Sequence, residues 1–489
     1  MRKNFYRLIA YYLSIFVIMI GIIQLTPLLV LPFYPDEISY VSCFLIPGLA
    51  SIVIGLLVGQ LLKGKTEIVK LDKNYDAVLI VLIWLSAILI STVPWMLKGD
   101  YNFTQAAFEM TSGFSTTGLS VVDVEATPHV FLMFRSITLF VGGVGLVLII
   151  TSAFSDKYGL NLYNAEGHTD RLMPNLAKSA RLILSIYSAY ILGGAIFYVL
   201  FGMPVFDAIN TAIAALSTGG FSVLNDSIYG YHSLPIEIVT IVLMMLGQTS
   251  FILHLALIKK KFGKIINHCE TKFFIFLAVV FITLMFINLQ QTGYSSGFGE
   301  TLRISVFQFV TCLTTTGFVS VPTLVGLPSG FATIMILMML IGGDLESTGG
   351  GIKQYRVIVV LKGILQEIKN TVRTYKTVTT DFITRAGKRS VLTSSEVSSM
   401  SSYILFYLIL FFTGSMIFTL YGNNLQDSMF EFASAISTVG LSVGITNYNA
   451  PAVILWTASI GMFLGRLEIM VVFQSILRIT KDIIKKENI

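Results

Sequence analysis

One short loop occurs four times in this chain, and its recurrence limits the folds that the chain can adopt. Each copy contains two small hydroxyl residues, one variable residue, a glycine and a bulky apolar residue. The copies lie roughly 100 to 120 residues apart, and a long, nearly constant period indicates one structural unit used four times. Without the final apolar residue, the copies are Ser115-Thr116-Thr117-Gly118, Ser217-Thr218-Gly219-Gly220, Thr314-Thr315-Thr316-Gly317 and Ser437-Thr438-Val439-Gly440.

The residue types of this loop suit a filter for cations. Glycine can turn its carbonyl group in directions that other residues reach only with strain. Four such carbonyls around one axis can replace the water shell of an alkali ion, and small hydroxyl residues keep the wall polar. The alternative is four ordinary glycine-containing turns at helix ends. Every copy follows an apolar helical stretch and precedes a membrane-length apolar run, and this context favours a filter built from all four loops.

The composition indicates an integral membrane protein. The 489 residues are 54% hydrophobic and 12% charged, whereas soluble domains carry about 25% charged residues. The net charge of +6 is no sign of nucleic acid binding, because lysine and arginine cluster at alternate ends of the apolar runs, as expected for cytoplasmic loops. The cysteines form no paired motif and the histidines are scattered, so we expect neither a disulfide framework nor a metal cluster. No catalytic triad or acid/base pair stands out, and we expect no enzyme.

The apolar runs predict an all-α integral membrane protein with ten transmembrane helices. Residues 1–70 form a predicted N-terminal hairpin of two transmembrane helices, and pore repeats follow at 71–160, 161–265, 266–395 and 396–489. Each repeat contains a first span, a re-entrant helix too short to cross about 30 Å of hydrocarbon, and a return span. We expect a pseudo-fourfold arrangement of the repeats with both termini in the cytoplasm. The predicted return spans are 128–154, 238–258, the run from 329 onward and 452–476.

The third return span is interrupted by a polar, glycine-rich stretch at 342–351. Non-helical backbone at membrane depth is tolerated only where protein buries it or water reaches it. Arg466 lies inside the fourth return span, where an arginine costs at least about 2.5–3.5 kcal/mol. We hypothesise that both meet beneath the filter and hinder ion passage, with Asp344 and Glu346 as candidate charge partners; a structural ion pair between two repeats is the alternative. The predicted gate residues are Gly342, Gly343, Asp344, Glu346, Ser347, Thr348, Gly349, Gly350, Gly351 and Arg466.

Further charged residues belong to the predicted pore region. Glu109 and Glu431 each stand nine positions before a filter glycine, and with other carboxylates they predict an acidic outer mouth that raises the local cation concentration. Ordinary solvated turn residues are the alternative for each carboxylate taken singly. We expect Arg135 to be a structural partner of a carboxylate or of backbone carbonyls, and His254 to form an interhelical hydrogen bond. The other mouth carboxylates are Asp123, Glu125, Asp207, Asp226 and Asp427.

Taken together, these motifs resemble the TrkH/TrkG/KtrB superfamily of potassium uptake proteins. The resemblance is carried by the four filter loops, by the interruption Gly-Gly-x-x-x-Ser-Thr-Gly-Gly-Gly-Ile-Lys and by the run Gly465-Arg466-Leu467-Glu468-Ile469. It covers nearly the whole chain, and the extra N-terminal hairpin is similar to the TrkH branch. Asp344-Leu345-Glu346 departs from the small, mostly uncharged residues expected in the interruption.

The resemblance implies potassium uptake through the filter, an intramembrane gate at 342–351 and a pore-facing Arg466. It also implies a homodimer in the cytoplasmic membrane of a prokaryote. This dimer would dock on a cytosolic TrkA-type regulator ring that binds ATP, ADP or NAD, so that this chain binds no cofactor itself. Potassium is the transported substrate, and its implied positions are Thr116, Thr117, Gly118, Thr218, Gly219, Gly220, Thr315, Thr316, Gly317, Thr438, Val439 and Gly440.

Two questions stay open at the level of sequence. In the superfamily, a serine at the first filter position goes with sodium permeation, and the presence of all four glycines here favours potassium. A sodium-permeable or ion-coupled cation symporter on the same fold is the alternative. The basic segment 362–389 suits either a regulator or anionic membrane lipids as its contact.

Overall fold

The computed structural model describes residues 2–63, 73–145, 176–294, 297–372 and 381–487, and these residues are mostly helical. Among them, six helices are long and apolar enough to cross a membrane. The number rises to eight if each of two sharply bent helix pairs is counted as one span. The predicted helical membrane protein is therefore confirmed, whereas the count of ten spans stays a prediction.

The N-terminal hairpin consists of two long helices, Arg2–Leu25 and Val41–Leu62. They approach each other closely because glycines face the contact: a Cβ atom on Gly21 would lie 2.6 Å from the carbonyl oxygen of Gly48. Small residues at such contacts are typical of helices packed in membranes. Both helices pack against the first helix of the repeats. Two 3-10 segments connect them, Thr26–Phe33 and Pro35–Tyr40.

Four units with the same order of helices follow the hairpin, each with a first helix, a pore helix and a return helix. The first helices are Lys73–Lys98, Leu176–Leu200, Cys269–Thr292 and Ser394–Leu420. The pore helices, each followed by a filter loop, are Phe103–Phe114, Val205–Leu216, Phe298–Leu313 and Leu425–Ile436. The return helices are His129–Val144, Leu234–Gln248, Ser329–Ile341 and Ala452–Arg466. Pore helices of 12 to 16 residues are about 18–24 Å long, so they end inside a hydrocarbon core about 30 Å thick.

Local sequence fixes where two of the pore helices begin. Asn102 Oδ1 accepts a hydrogen bond from the Gln105 amide at 3.0 Å, and Gln105 Oε1 accepts one from the Asn102 amide at 2.9 Å. This reciprocal pair is a capping box. Asn424 caps the fourth pore helix by accepting from the Asp427 amide at 2.8 Å. A fixed start sets the point at which each short helix ends and the filter loop begins.

The second, third and fourth return helices end near the filter loops instead of continuing straight. Leu234–Gln248 is followed by Phe251–Ile258 at a bend of 113°, and Ala452–Arg466 by a helix from Ile469 at a bend of 101°. The predicted return spans 238–258 and 452–476 are therefore each interrupted by a sharp bend. The third return helix ends at Gly342, where the sequence predicts the interruption.

The break in the second return helix is stabilised by hydrogen bonds from the 342–351 loop. The Asp344 amide donates to the carbonyl oxygen of Gln248 at 3.3 Å, and the Thr348 hydroxyl donates to that of Gly247 at 2.8 Å. These donors replace the backbone amides that a continuous helix would supply. The buried carbonyl groups of Gly247 and Gln248 are therefore hydrogen bonded although the helix ends. The predicted first return span, 128–154, is described only as far as Gly145, and its remainder lies outside the described residues.

The third repeat carries a small extension after its return helix. The helix Gln354–Val372 precedes an antiparallel hairpin of two strands, Phe382–Arg385 and Lys388–Val391, which corrects the all-α expectation at this place. Ala386 and Gly387 form the two-residue turn with φ of 49° and 83°, and such positive φ angles match the twist of paired strands. The remaining helical segments are Ser227–Tyr231, Phe262–Ile266 and Ile469–Glu487.

Candidate functional site

The four filter loops form a closed ring in which each glycine contacts the next loop. In every loop, a Cβ atom on the filter glycine would overlap the carbonyl oxygen that precedes the glycine of the following loop. Since the last of these contacts leads from the fourth loop back to the first, the ring is complete, and a larger residue at any of its four glycines would displace a neighbouring loop. The contacts join Gly118 to Gly219, Gly220 to Thr316, Gly317 to Val439 and Gly440 to Thr117.

The backbone of the filter loops is unusual at two positions. The filter glycines have φ angles between 60° and 97°, in the region that suits glycine. The second residue of each loop is a threonine with φ between 51° and 54°, which is rare for a β-branched residue. Such backbone strain costs about 1–3 kcal/mol per residue and is found mainly at functional sites. The four strained threonines are Thr116, Thr218, Thr315 and Thr438.

A hydroxyl residue six positions before the filter glycine supports three of the loops. The Ser112 hydroxyl accepts a hydrogen bond from the Gly118 amide at 3.0 Å. The equivalent bonds run from Gly317 to Thr311 at 3.1 Å and from Gly440 to Ser434 at 3.0 Å. The second loop has Ala214 at this position, and the Gly220 amide instead donates to the Ala214 carbonyl at 3.4 Å. The sequence analysis missed these residues, although their constant spacing from the glycine was visible.

A buried ion pair stabilises the first two filter loops. Arg135 Nε lies 2.7 Å from Glu109 Oε1, and both side chains are buried. Glu109 also accepts hydrogen bonds from the Ser120 hydroxyl and the Val121 amide beyond the first filter glycine. Arg135 reaches the second loop through the Ser222 carbonyl oxygen at 3.2 Å. Arg135 therefore has both a carboxylate and a backbone carbonyl as partners.

The prediction that Glu109 and Glu431 make the outer mouth acidic is wrong, because both carboxylates are 0–1% exposed. Glu431 accepts from the Ser442 hydroxyl at 2.7 Å and from the Val443 amide at 2.8 Å, so it braces the fourth loop. Exposed carboxylates do occur nearby. The side-chain amide of Asn225 donates to Asp123 Oδ1 at 3.0 Å, and this hydrogen bond lowers the pKa of the Asp123 carboxyl, which keeps it charged.

The 342–351 loop lies against three of the four filter loops. The Thr218 hydroxyl of the second loop donates to the Thr348 hydroxyl oxygen at 3.1 Å. The Gly350 amide donates to the Thr315 hydroxyl of the third loop at 2.6 Å. A Cβ atom on Gly350 would overlap the Ser437 carbonyl oxygen of the fourth loop. The loop therefore closes directly on the ends of the filter loops.

Arg466 connects this loop to the first repeat. Its guanidinium donates to the carbonyl oxygens of Gly142 and Gly143, the latter at 3.2 Å, at the end of the first return helix. It also donates to the Thr348 carbonyl oxygen at 3.4 Å. Of its two proposed charge partners, Glu346 lies 3.7 Å from Arg385. Arg466 and the loop thus meet, and together they contact all four repeats.

A small polar cavity of about 40 Å³ adjoins the loop. Glu346, Lys353, Arg466 and Glu468 line it, so two positive and two negative side chains surround the same space. Lys353 is buried, and its ammonium group donates to the Gly349 carbonyl oxygen. Lys353 ends the interruption motif, but its burial was not predicted, because its position in the sequence resembles that of an ordinary cytoplasmic lysine.

This geometry defines a helical membrane protein whose four pore helices lead to a ring of polar, carbonyl-rich loops, and such a ring is the arrangement of a cation conductor. The model of the TrkH family, described as a cation transport protein, matches residues 48–486. The chain therefore belongs to the TrkH family of cation transport proteins, a family of transporters and not of enzymes.

Named relatives agree with this assignment. An uncharacterized cation transporter of Methanocaldococcus jannaschii is 30% identical over 475 residues, covering 96% of this chain and 95% of the relative. The Trk system potassium uptake protein TrkG of Escherichia coli is 28% identical over 484 residues, covering 96% and 97%. The crystal structure of the potassium transporter TrkH from Vibrio parahaemolyticus matches with a TM-score of 0.83 at 22% identity, covering 96% of this chain and 98% of that chain. This structural match shows the shared fold.

Proposed function

We propose that this protein takes up potassium across the cytoplasmic membrane through the ring of four filter loops. The observation that carries the proposal is the closed sequence of glycine–carbonyl contacts around the ring. Carbonyl oxygens held by such contacts can replace the hydration shell of a potassium ion. The relatives named as Trk system potassium uptake proteins support potassium as the ion.

The potassium ions would be held by the last three residues of each loop, and the pore helices would assist them. A pore helix that ends at a filter loop directs the negative end of its dipole toward the ring, which favours a cation there. The side-chain oxygens of Thr116 and Thr438 have no hydrogen-bond partner among the described residues, so both remain able to accept a cation.

The gate in this proposal consists of the 342–351 loop and Arg466. The loop residues Thr348 and Gly350 contact the inner ends of the filter loops, where they would obstruct an ion leaving the filter. Arg466 adds a positive charge beside the same place, and like charge opposes a passing cation. Both features would have to move for conduction.

The wider assembly is a proposal that the same family relationship supports. The protein would be a homodimer of ten-span subunits with cytoplasmic termini, in a prokaryotic membrane. A cytosolic TrkA-type ring that binds ATP, ADP or NAD would control the gate, and this chain would need no cofactor. The match to proteins named as parts of a Trk system supports a regulatory partner.

Rubidium uptake into liposomes tests the proposed function, with potassium and sodium as competitors and with the candidate ring subunit present or absent. We expect strong inhibition by potassium and weak inhibition by sodium. Gly118→Ala should abolish uptake, because its methyl group would overlap the Gly219 carbonyl. Gly193→Ala is the matched control, since nothing lies within 4 Å of that Cβ position.

Three results would speak against the proposal. Equal inhibition by both ions would contradict potassium selectivity. A change in uptake rate with an imposed proton or sodium gradient would support a symporter instead. Normal uptake by folded Gly118→Ala protein would mean that ions do not pass through the ring.

A further inference from the structure

The β-hairpin is bonded to the 342–351 loop through Leu345 and Glu346. Arg385, at the end of the first strand, donates to the Leu345 carbonyl oxygen at 3.5 Å. Its guanidinium also lies 3.7 Å from the Glu346 carboxylate. Leu345 and Glu346 stand two to five residues before Thr348 and Gly350, which contact the filter loops. A displacement of the hairpin would therefore act on the loop at short range.

Glu270 links the hairpin to the 342–351 loop. It lies near the start of Cys269–Thr292, the first helix of the third repeat. It is fully buried, and its Oε1 accepts a hydrogen bond from the Leu345 amide at 2.7 Å. Its Oε2 lies 2.8 Å from His268 Nε2 and 3.8 Å from Arg385 Nε. A buried carboxylate is stable only when it is paired and hydrogen bonded, so the loop, the helix and the hairpin depend on one another for its partners.

His268 connects the turn of the hairpin to the Glu270 carboxylate through two hydrogen bonds. The Ala386 amide donates to His268 Nδ1 at 3.0 Å. Because Nδ1 accepts this bond, it carries no proton, and Nε2 carries the proton that it donates to Glu270. One neutral imidazole thus links the hairpin turn to the carboxylate that holds the loop.

Apolar packing adds a second, independent attachment. Ile383 of the first strand is 1% exposed and packs in a small cluster that is separate from the main core. Tyr355, Val359 and Leu392 belong to the cluster, and Leu345 of the loop packs against it. Leu345 is therefore held at its amide, at its carbonyl and at its side chain by groups outside the loop.

We propose that the hairpin, residues 382–391, is a latch that keeps the 342–351 loop pressed against the filter. Arg385 and Glu270 are positioning residues in this proposal, because they act on the loop and touch no ion. Loss of the hairpin contacts frees Leu345 and Glu346, and the loop residues that follow them then leave the filter. The latch rests on the proposed gating role of the loop, and the test below separates the two.

Two variants remove different parts of the latch. Arg385→Gln removes the cation that contacts Leu345, Glu346 and Glu270, and Ile383→Ala removes the apolar contact without changing any charge. Arg389→Gln is the matched control: it lies on the opposite strand, is exposed, and makes the same change of charge. Hydrogen exchange of the loop amides is measured in nanodiscs, together with rubidium uptake by the same preparations in liposomes.

We expect amides of 344–350 to exchange about tenfold faster in Arg385→Gln, the effect of losing one charge-assisted contact, with faster uptake. Ile383→Ala should act in the same direction, and Arg389→Gln should match the unaltered protein in both measurements. Unchanged exchange in both latch variants would overturn the latch. Faster exchange with unchanged uptake would confirm the latch and show that the loop is not the gate. If Arg385→Gln does not fold, the exchange of folded Ile383→Ala decides the question.

Discussion

Thr218 and Thr348 share a hydrogen bond of 3.1 Å between their hydroxyl groups, and this bond joins the second filter loop to the loop beneath it. Thr348 also donates to the Gly247 carbonyl oxygen at 2.8 Å. A threonine hydroxyl has one proton to donate and two lone pairs that accept. Thr348 therefore donates its one proton to a broken helix end and accepts a hydrogen bond from a filter-loop residue at the same time.

Thr348→Val tests whether these bonds keep the loop closed. Valine preserves the shape of threonine but lacks the hydroxyl group, so the bonds to Thr218 and Gly247 are lost. Each net hydrogen bond contributes about 0.5–1.5 kcal/mol, and we expect rubidium flux in liposomes to rise about threefold to tenfold. Thr413→Val is the control, since that exposed hydroxyl bonds only within its own helix, to Ile409 at 2.7 Å. A lower flux in folded Thr348→Val would contradict this role.

Arg466→Ala tests the proposed role of the guanidinium as a barrier to ions. The substitution removes a positive charge and three donated hydrogen bonds to carbonyl groups, so we expect rubidium flux to increase by about tenfold or more. Arg181→Ala removes the same charge from an exposed position of another helix and should leave flux unchanged.

The alternative role of Arg466 is structural, and a second readout separates it. If the residue mainly holds two repeats together, the variant will unfold at a lower temperature while its flux per folded molecule stays the same. That outcome would remove Arg466 from the gate.

Glu109→Gln should destabilise the protein strongly. Arg135 would keep its charge in a buried site without the carboxylate at 2.7 Å, and breaking a buried pair from one side costs about 3–5 kcal/mol. The double variant Glu109→Gln/Arg135→Met should be less unstable than the sum of its single variants. Thermal unfolding in detergent measures both. Asp100→Asn removes a carboxylate whose side chain is 61% exposed, and it should change stability by about 0–1 kcal/mol. An equal effect of Glu109→Gln and Asp100→Asn would refute the argument.

The four loops and the short helices before them could be predicted from the sequence, because their signals are local and repeated. Every copy has small hydroxyl residues before its glycine, and two of the pore helices begin with an asparagine cap, Asn102 and Asn424. The interruption at 342–351 was equally visible, since glycine and acidic residues do not suit a helix in lipid. These features need no knowledge of distant parts of the chain.

The breaks in the other return helices could not be predicted in this way. Thr249 and Ser250 suit a membrane helix, and the helix ends before them because Asp344 and Thr348 supply donors to Gln248 and Gly247 from a distant repeat. The wrong prediction for the outer mouth has the same cause. Nothing in the local sequence shows that Arg135 will reach Glu109, so the sequence does not distinguish a buried, ion-paired Glu109 from a solvated one.

The second filter loop lacks the hydroxyl group that supports the other three, and this difference leads to a prediction about selectivity. Ser112→Ala removes the acceptor of the Gly118 amide and gives the first loop the arrangement that the second loop has naturally with Ala214. The second loop also differs in its glycine, whose φ is 60° whereas that of Gly118 is 97°. We infer that the hydroxyl support sets the position of the filter glycine.

Ser112→Ala should therefore lower the discrimination of potassium over sodium by about twofold to tenfold, the effect of one hydrogen bond, with little change in stability. Ala214→Ser should raise it, because the new hydroxyl can accept from the Gly220 amide. Competition of sodium with rubidium uptake measures both changes. Ser185→Ala, at an exposed helix position, serves as the control. If sodium competes equally well in all of these proteins, the hydroxyl support does not position the filter, and the selectivity must come from the glycine–carbonyl contacts of the ring alone.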